Sequence, residues 1–120
     1  MRKKQPLPAL KRKLWRLFSK WIRERDKYTC ITCGNPGNHA GHYIEKSISN
    51  PLGYFSEVGV NCQCVRCNLY QSGTKDKYAL ALERIHGFGI LQLLEEERRK
   101  VFKPTREWYE KKIKFYGGNK

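Results

Sequence analysis

Cys30-Ile31-Thr32-Cys33 and Cys64-Val65-Arg66-Cys67 are two CxxC knuckles with 30 residues between them. Two residues between cysteines let both thiolates face one tetrahedral ion, and two such pairs complete a closed site of four sulfurs. The pattern predicts structural zinc on Cys30, Cys33, Cys64 and Cys67, an ion that stabilises a fold whose apolar core is thin. A redox dithiol would need one pair and leaves the second unexplained. Cys62, the fifth cysteine, is left over as a free thiol with no assigned role. An odd count, behind a basic start with no apolar export segment, argues against a disulfide framework and for a cytoplasmic location.

Plain zinc ribbons separate their knuckles by about 15–20 residues, so here something is built between them. The inserted stretch holds two of the chain's three histidines, in His39-Ala40-Gly41-His42-Tyr43-Ile44, and then Asn50 and Asn61. Asn35-Pro36-Gly37-Asn38 is a turn signal, His39–Lys46 reads as a strand, and Asn50-Pro51-Leu52-Gly53 as a break. A second strand is expected over Tyr54–Cys62. Alternation along a strand puts His39 and position 41 on one face and His42 on the other. A neutral histidine can take a proton from water, an asparagine can fix its tautomer, and a divalent ion can neutralise charge on a leaving oxygen. Those are the parts of a phosphodiester-hydrolysing site. The plainer reading makes the two histidines spare ligands or loop polar groups. His86 sits apart and reads as structural.

Outside the knuckles the chain reads as helical. Met1–Pro8, with two prolines and three bases, is a basic tail. From Ala9 to Lys27, Leu10, Leu14, Leu17, Phe18, Trp21 and Ile22 recur at helical spacing with bases between them. Lys75–His86, Ile90–Val101 (Leu91, Leu94 and Val101 inward) and a segment capped by Thr105, with Trp108, Tyr109 and Ile113 apolar and Gly117-Gly118 at its end, are the later helices. The expected class is α+β, a mainly helical small domain around a β centre. It follows the tail 1–8 as a single domain 9–120, divided into the basic helix 9–27, the zinc-stapled unit 28–74 and the C-terminal helices 75–120.

Twenty-five Lys+Arg against 11 Asp+Glu give this 120-residue chain a net charge of +14. Residues 1–27 carry 11 bases and two acids, or +9, and the other 93 residues carry +5. An arm so charged binds phosphates through counterion release, without regard to sequence. Arg12, Lys13, Arg16, Lys20 and Arg23, about a turn apart, are the candidate DNA-binding residues. Trp15 and Trp21 are core residues by their spacing, or stacking platforms for an unpaired base. Fifteen aromatics exclude disorder throughout. The longest apolar stretch, Phe88–Leu94, is too short and too broken for a membrane span.

The combination Cys30-x-x-Cys33, His39-Ala40-Gly41-His42-Tyr43, Gln63-Cys64-x-x-Cys67-Asn68 and Ser72-Gly73 closely resembles the NinG (Rap) family of lambdoid phage recombination proteins. Leu14-Trp15-Arg16-Leu17-Phe18-Ser19-Lys20-Trp21-Ile22-Arg23 fits it too, so the resemblance covers roughly residues 13–116. Members in turn resemble zinc-stapled HNH endonucleases of the ββα-metal type. The resemblance implies a phage-encoded, metal-dependent nuclease acting on branched DNA such as D-loops and Holliday junctions. By position, His42 matches the general base and Asn68 the final HNH residue, a metal ligand. Two positions depart: Gly41 stands where an Asp or His is usual, and Gly59 where the middle Asn is expected.

His39 is the candidate to replace position 41 as ligand, with Asn68, of a magnesium or manganese ion. Asn61 is the candidate to replace position 59 and orient His42. Cutting a junction symmetrically would require two active sites, and so a homodimer. The rival readings are a non-catalytic, zinc-dependent DNA-binding accessory protein of recombination and a basic RNA- or ribosome-associated zinc protein. The last leaves His42 unexplained.

Overall fold

The computed structural model describes residues 4–72 and 74–117. Its longest element is helix α1, Leu7–Arg25. Leu10, Leu14, Phe18 and Ile22, four residues apart, are its buried stripe. At about 100° per residue, Arg12, Lys13, Arg16, Lys20 and Arg23 fall on the opposite side. The helix begins two residues before Ala9, because Pro8 occupies the first turn, where a missing N–H costs nothing. It ends before Lys27, because Lys27 and Tyr28 take left-handed φ values of 51° and 54°. Of the basic tail, Met1–Lys3 lie outside the described residues.

Strands β1 (His39–His42) and β2 (Val60–Gln63) pair antiparallel, with His39 opposite Gln63, Ala40 opposite Cys62, Gly41 opposite Asn61 and His42 opposite Val60. Both are shorter than expected. The segment read as a chain break instead forms the one-turn helix α2, Pro51–Tyr54, and the second strand starts only at Val60 rather than at Tyr54. Asn50-Pro51 is a helix start as much as a chain break: Asn50 Oδ1 accepts from Gly53 N at 2.9 Å while Pro51 takes the first helical position. The other end of the same amide donates to the Glu97 and Lys100 carbonyls at 2.7 and 2.8 Å. Asn50 therefore caps two helices at once.

After the second knuckle comes a five-residue π-helical turn, Arg66–Tyr70, then α3 (Lys75–His86), α4 (Ile90–Arg99) and α5 (Arg106–Gly117). Thr105 Oγ1 accepts from Trp108 N at 3.1 Å, so it does cap α5. Gly118 lies outside the described residues. Val101, expected inward, is 93% exposed. The helix stops at Arg99 and the chain turns extended at Lys100, so the spacing no longer applies.

Among the described residues the molecule is α+β, with one two-stranded antiparallel sheet and two unequal cores. The larger packs α1 and α5 against one face of the sheet, with Phe18, Phe55, Tyr109 and Tyr116 beside Ala40 and Val60. The smaller, Tyr78, Leu82 and Leu94, lies under α3 and α4. Among the described residues no helix is long and apolar enough to cross a membrane.

Candidate functional site

The first knuckle is a turn whose geometry the chain specifies locally. Cys30 N donates to Asn35 O at 2.8 Å, Gly34 N donates to Cys30 O at 2.9 Å, and Gly34 takes the left-handed φ of 79° that the return needs. Ile31 N reaches Cys62 O at 2.9 Å and ties this turn to β2. In the second knuckle, Cys67 N donates to Cys64 Sγ at 3.5 Å and Asn68 N to Cys64 O at 3.0 Å. The four Sγ atoms of Cys30, Cys33, Cys64 and Cys67 lie within 4.8 Å of one another. Sulfurs on one tetrahedral zinc stand about 3.8 Å apart, given a Zn–S bond of about 2.3 Å, and Cys33 Sγ and Cys64 Sγ are 3.7 Å apart. The cluster fits zinc.

Its electrostatics point the same way. Burial raises the Cys30 thiol, but the Thr32 hydroxyl and nearby backbone N–H groups outweigh it and bring the thiol down to about 6. An Asn35 N–H lowers Cys33, yet burial and the neighbouring sulfurs raise it to about 11. Holding all four sulfurs negative within so small a radius needs a cation. Cys62 stays outside the cluster, buried, with its Sγ donating to Gly37 O at 3.4 Å.

The antiparallel register sorts the remaining candidates onto two faces. Ala40, His42, Val60 and Cys62 share the face toward α1, and His39, Gly41, Asn61 and Gln63 share the other. His42 is 6% exposed and stacks on Trp15, with ring centroids 5.0 Å apart and 20° between planes. Its Nε2 lies 2.9 Å from the Tyr54 carbonyl. A carbonyl only accepts, so Nε2 carries the proton and Nδ1 is left with a lone pair. That Nδ1 is buried and has no hydrogen-bond partner among the described residues. Burial pushes the ring's pKa down, the Tyr54 carbonyl opposes this, and Lys46 and Lys75 lower it further, to about 4. His42 is a neutral base at physiological pH.

Asn61 does not touch His42. It pairs with Gly41 across the ladder and therefore points from the opposite face, where Nδ2 donates to Val58 O at 2.8 Å and to the Tyr78 hydroxyl at 3.1 Å. Its Oδ1 accepts from Arg25 Nη2 at 3.0 Å. The orienting contact expected of Asn61 is made by the Tyr54 backbone instead.

His39 and Asn68 do meet, with His39 Nδ1 3.1 Å from Asn68 Nδ2. Turned about its axis, the Asn68 amide would present its oxygen there. The place of the acid missing at position 41 is filled: a Cβ on Gly41 would collide with Gln63 Oε1 and stand 2.8 Å from Gln63 Cδ and 3.0 Å from Asn68 Oδ1. Gln63 occupies that space, and Gly41 is what lets it.

A cleft of about 400 Å³ opens beside β1, lined by His42 and Asn68 together with Glu45, Lys46, Leu69 and Lys75. Lys75 donates to the His42 carbonyl, is half buried, and has its pKa lowered by that burial against the pull of Glu45. Lys46 Nζ sits 5.5 Å from the centre of the Trp15 ring. Tyr54, Glu45, Lys46 and Lys75 are the site residues that sequence reading missed. The one signal was His42-Tyr43-Ile44-Glu45-Lys46, a loop that leaves the strand directly after the histidine.

On α1, Arg12, Lys13, Arg16 and Lys20 are exposed. Arg23 is half-buried and engaged, with Nη1 3.0 Å from Asn38 Oδ1 and Nε 3.1 Å from Ser19 O. Trp15 and Trp21 both pack against the larger core.

The family model described as bacteriophage lambda NinG protein matches residues 2–119. No curated protein and no solved structure matches the chain.

Proposed function

The chain belongs to the bacteriophage lambda NinG family, and from that membership and the chemistry of the cleft we propose that it is a metal-dependent, structure-selective DNA endonuclease of the HNH, ββα-metal type. Its substrates would be branched recombination intermediates, Holliday junctions and D-loops, in the cytoplasm of the phage's bacterial host. The observation that carries this reading is His42: its ring lines a cleft with two lysines, the Tyr54 carbonyl holds Nε2–H, and the Nδ1 lone pair is buried with no hydrogen-bond partner among the described residues.

In the reaction, Nδ1 of His42 takes a proton from water as the water oxygen bonds to phosphorus and the bond to the leaving sugar oxygen breaks. Lys46 and Lys75 face the non-bridging oxygens, where their charge offsets that of the phosphate. His39 and Asn68 would hold a magnesium or manganese ion. Such an ion supplies charge stabilisation for the leaving oxygen. Zinc on the four cysteines is structural. The exposed bases of α1 hold the phosphate backbone.

The second reading, a zinc-dependent DNA-binding accessory protein without catalysis, is favoured by one observation. Gln63 fills the place where HNH enzymes usually carry an Asp or His. Labelled four-way junction and linear duplex, each incubated with the protein in magnesium, manganese or neither, separate the two. Cutting of the junction in one of the metals is expected. An intact junction in every metal, with tight binding retained, leaves the accessory reading.

A further inference from the structure

The π-helical turn Arg66–Tyr70 stands up as a ridge between two hollows. On one side lies the His42 cleft, which Leu69 lines. On the other lies a hollow of about 430 Å³ that Val65 shares with His39 and Asn38. The crest is apolar and open: Tyr70 is 80% exposed, Leu69 60% and Val65 46%. The base is fixed. Cys67 is buried in the sulfur cluster, and Thr74 Oγ1 donates to Cys67 O at 3.1 Å. Gln71 N donates to Arg66 O at 2.9 Å.

Leu69 and Tyr70 are adjacent, exposed and carried on a turn whose backbone is tied down, an apolar patch that calls for a partner. Here the surroundings are cationic, with exposed Arg66 on the ridge itself and Lys46 and Lys75 in the adjoining cleft. Cations beside an exposed aromatic and an aliphatic wedge suit nucleic acid: the charges track the backbone while the ring stacks on a base and the wedge parts a step.

We propose that Leu69 and Tyr70 form a branch-point wedge, Tyr70 stacking on a base left unstacked where DNA arms diverge. The wedge gives the proposed nuclease its structure selectivity and rests on that reading of the chain as a branched-DNA protein. An intact linear duplex offers no such base, so the contact adds to junction binding alone.

The test measures binding, so it stands or falls apart from cleavage. Dissociation constants of the full-length, zinc-loaded protein for a four-way junction and a linear duplex are compared without added magnesium or manganese. The pair Leu69→Ala and Tyr70→Ala together should lower the junction-over-duplex preference about tenfold. Duplex affinity, which also reports that the fold is intact, should stay within about twofold. Tyr70→Phe, which keeps the ring, should keep the preference. A 2-aminopurine at the branch should change fluorescence on binding wild type and Tyr70→Phe, and not on binding the double variant. An unchanged preference in the double variant overturns the proposal and leaves the ridge for a protein partner. An equal fall in both affinities overturns it as well, since the ridge would then be a general contact.

Discussion

On the face of the sheet that carries Ala40, His42, Val60 and Cys62, order comes from burial of large apolar and aromatic groups. Phe18 meets Phe55 and Tyr116 edge-on at 5.7 and 4.9 Å, and Trp15 covers His42. On the opposite face, where His39, Gly41, Asn61 and Gln63 lie, order comes from hydrogen bonds and from four sulfurs in one small volume. Asn61 is held by Val58, Tyr78 and Arg25, and His39 by Asn68. The apolar face is held by the chain alone. The polar face gathers four sulfurs that could bind a zinc ion. The proposed site straddles the two, taking its base from the dry face and its metal-ligating pair from the polar one.

The comparison breaks most readily through the metal. Zinc in such sites contributes on the order of 10 kcal/mol to folding. Chelation at neutral pH should therefore strip hydrogen-exchange protection from Cys30, Ile31 and Asn68 while Phe18 and Ile22 in α1 keep more of theirs. Equal loss at all five amides would make the two faces one cooperative unit. The converse experiment is Phe18→Ala, which opens a cavity in the larger core and should cost about 3–5 kcal/mol in denaturant unfolding. One zinc per chain should still be bound by the variant; loss of zinc would show that the polar face depends on the dry one.

A smaller effect follows from His42, whose pKa falls from about 6.5 in the unfolded chain to about 4 in the fold. The unfolded state then binds the proton more tightly. Stability is full above pH 6.5 and is lost as pH falls toward 4, by about 3 kcal/mol in all. His42→Asn, which can still donate to Tyr54, should flatten that part of the pH–stability curve. An unchanged slope would place the acid sensitivity elsewhere. Smallest is the effect on DNA contact. Arg16→Ala should reduce the salt dependence of duplex binding by about one phosphate contact. Arg23→Ala should leave it nearly unchanged, because Asn38 and Ser19 already engage that guanidinium.

These differences also explain what could be read in advance. A CxxC knuckle is specified within four residues, and the α1 stripe by fourfold spacing, so both are written locally. Asn61 shares a strand face with position 59 and so reads as the substitute for the Asn that would orient His42. The register sets residue 61 opposite residue 41 and so on the other face, and register is not visible in either strand alone. The group that does hold His42, the Tyr54 carbonyl, is backbone and has no letter in the sequence. Its position depends on Asn50 capping α2, a signal that reads equally well as a break. Gly41 reads as a missing ligand in the sequence, and only the paired strand puts Gln63 into its space. Lys75 reaches the cleft only after the chain folds α3 back beside β1.

The central claim is that His42 is the base of a nuclease, and its most direct test is a matched pair of measurements on wild type and His42→Ala with a labelled four-way junction. Loss of the base should lower the rate of cutting in magnesium or manganese by about a hundredfold or more, with junction affinity held within a few-fold. Cleavage by His42→Ala at the wild-type rate would contradict it.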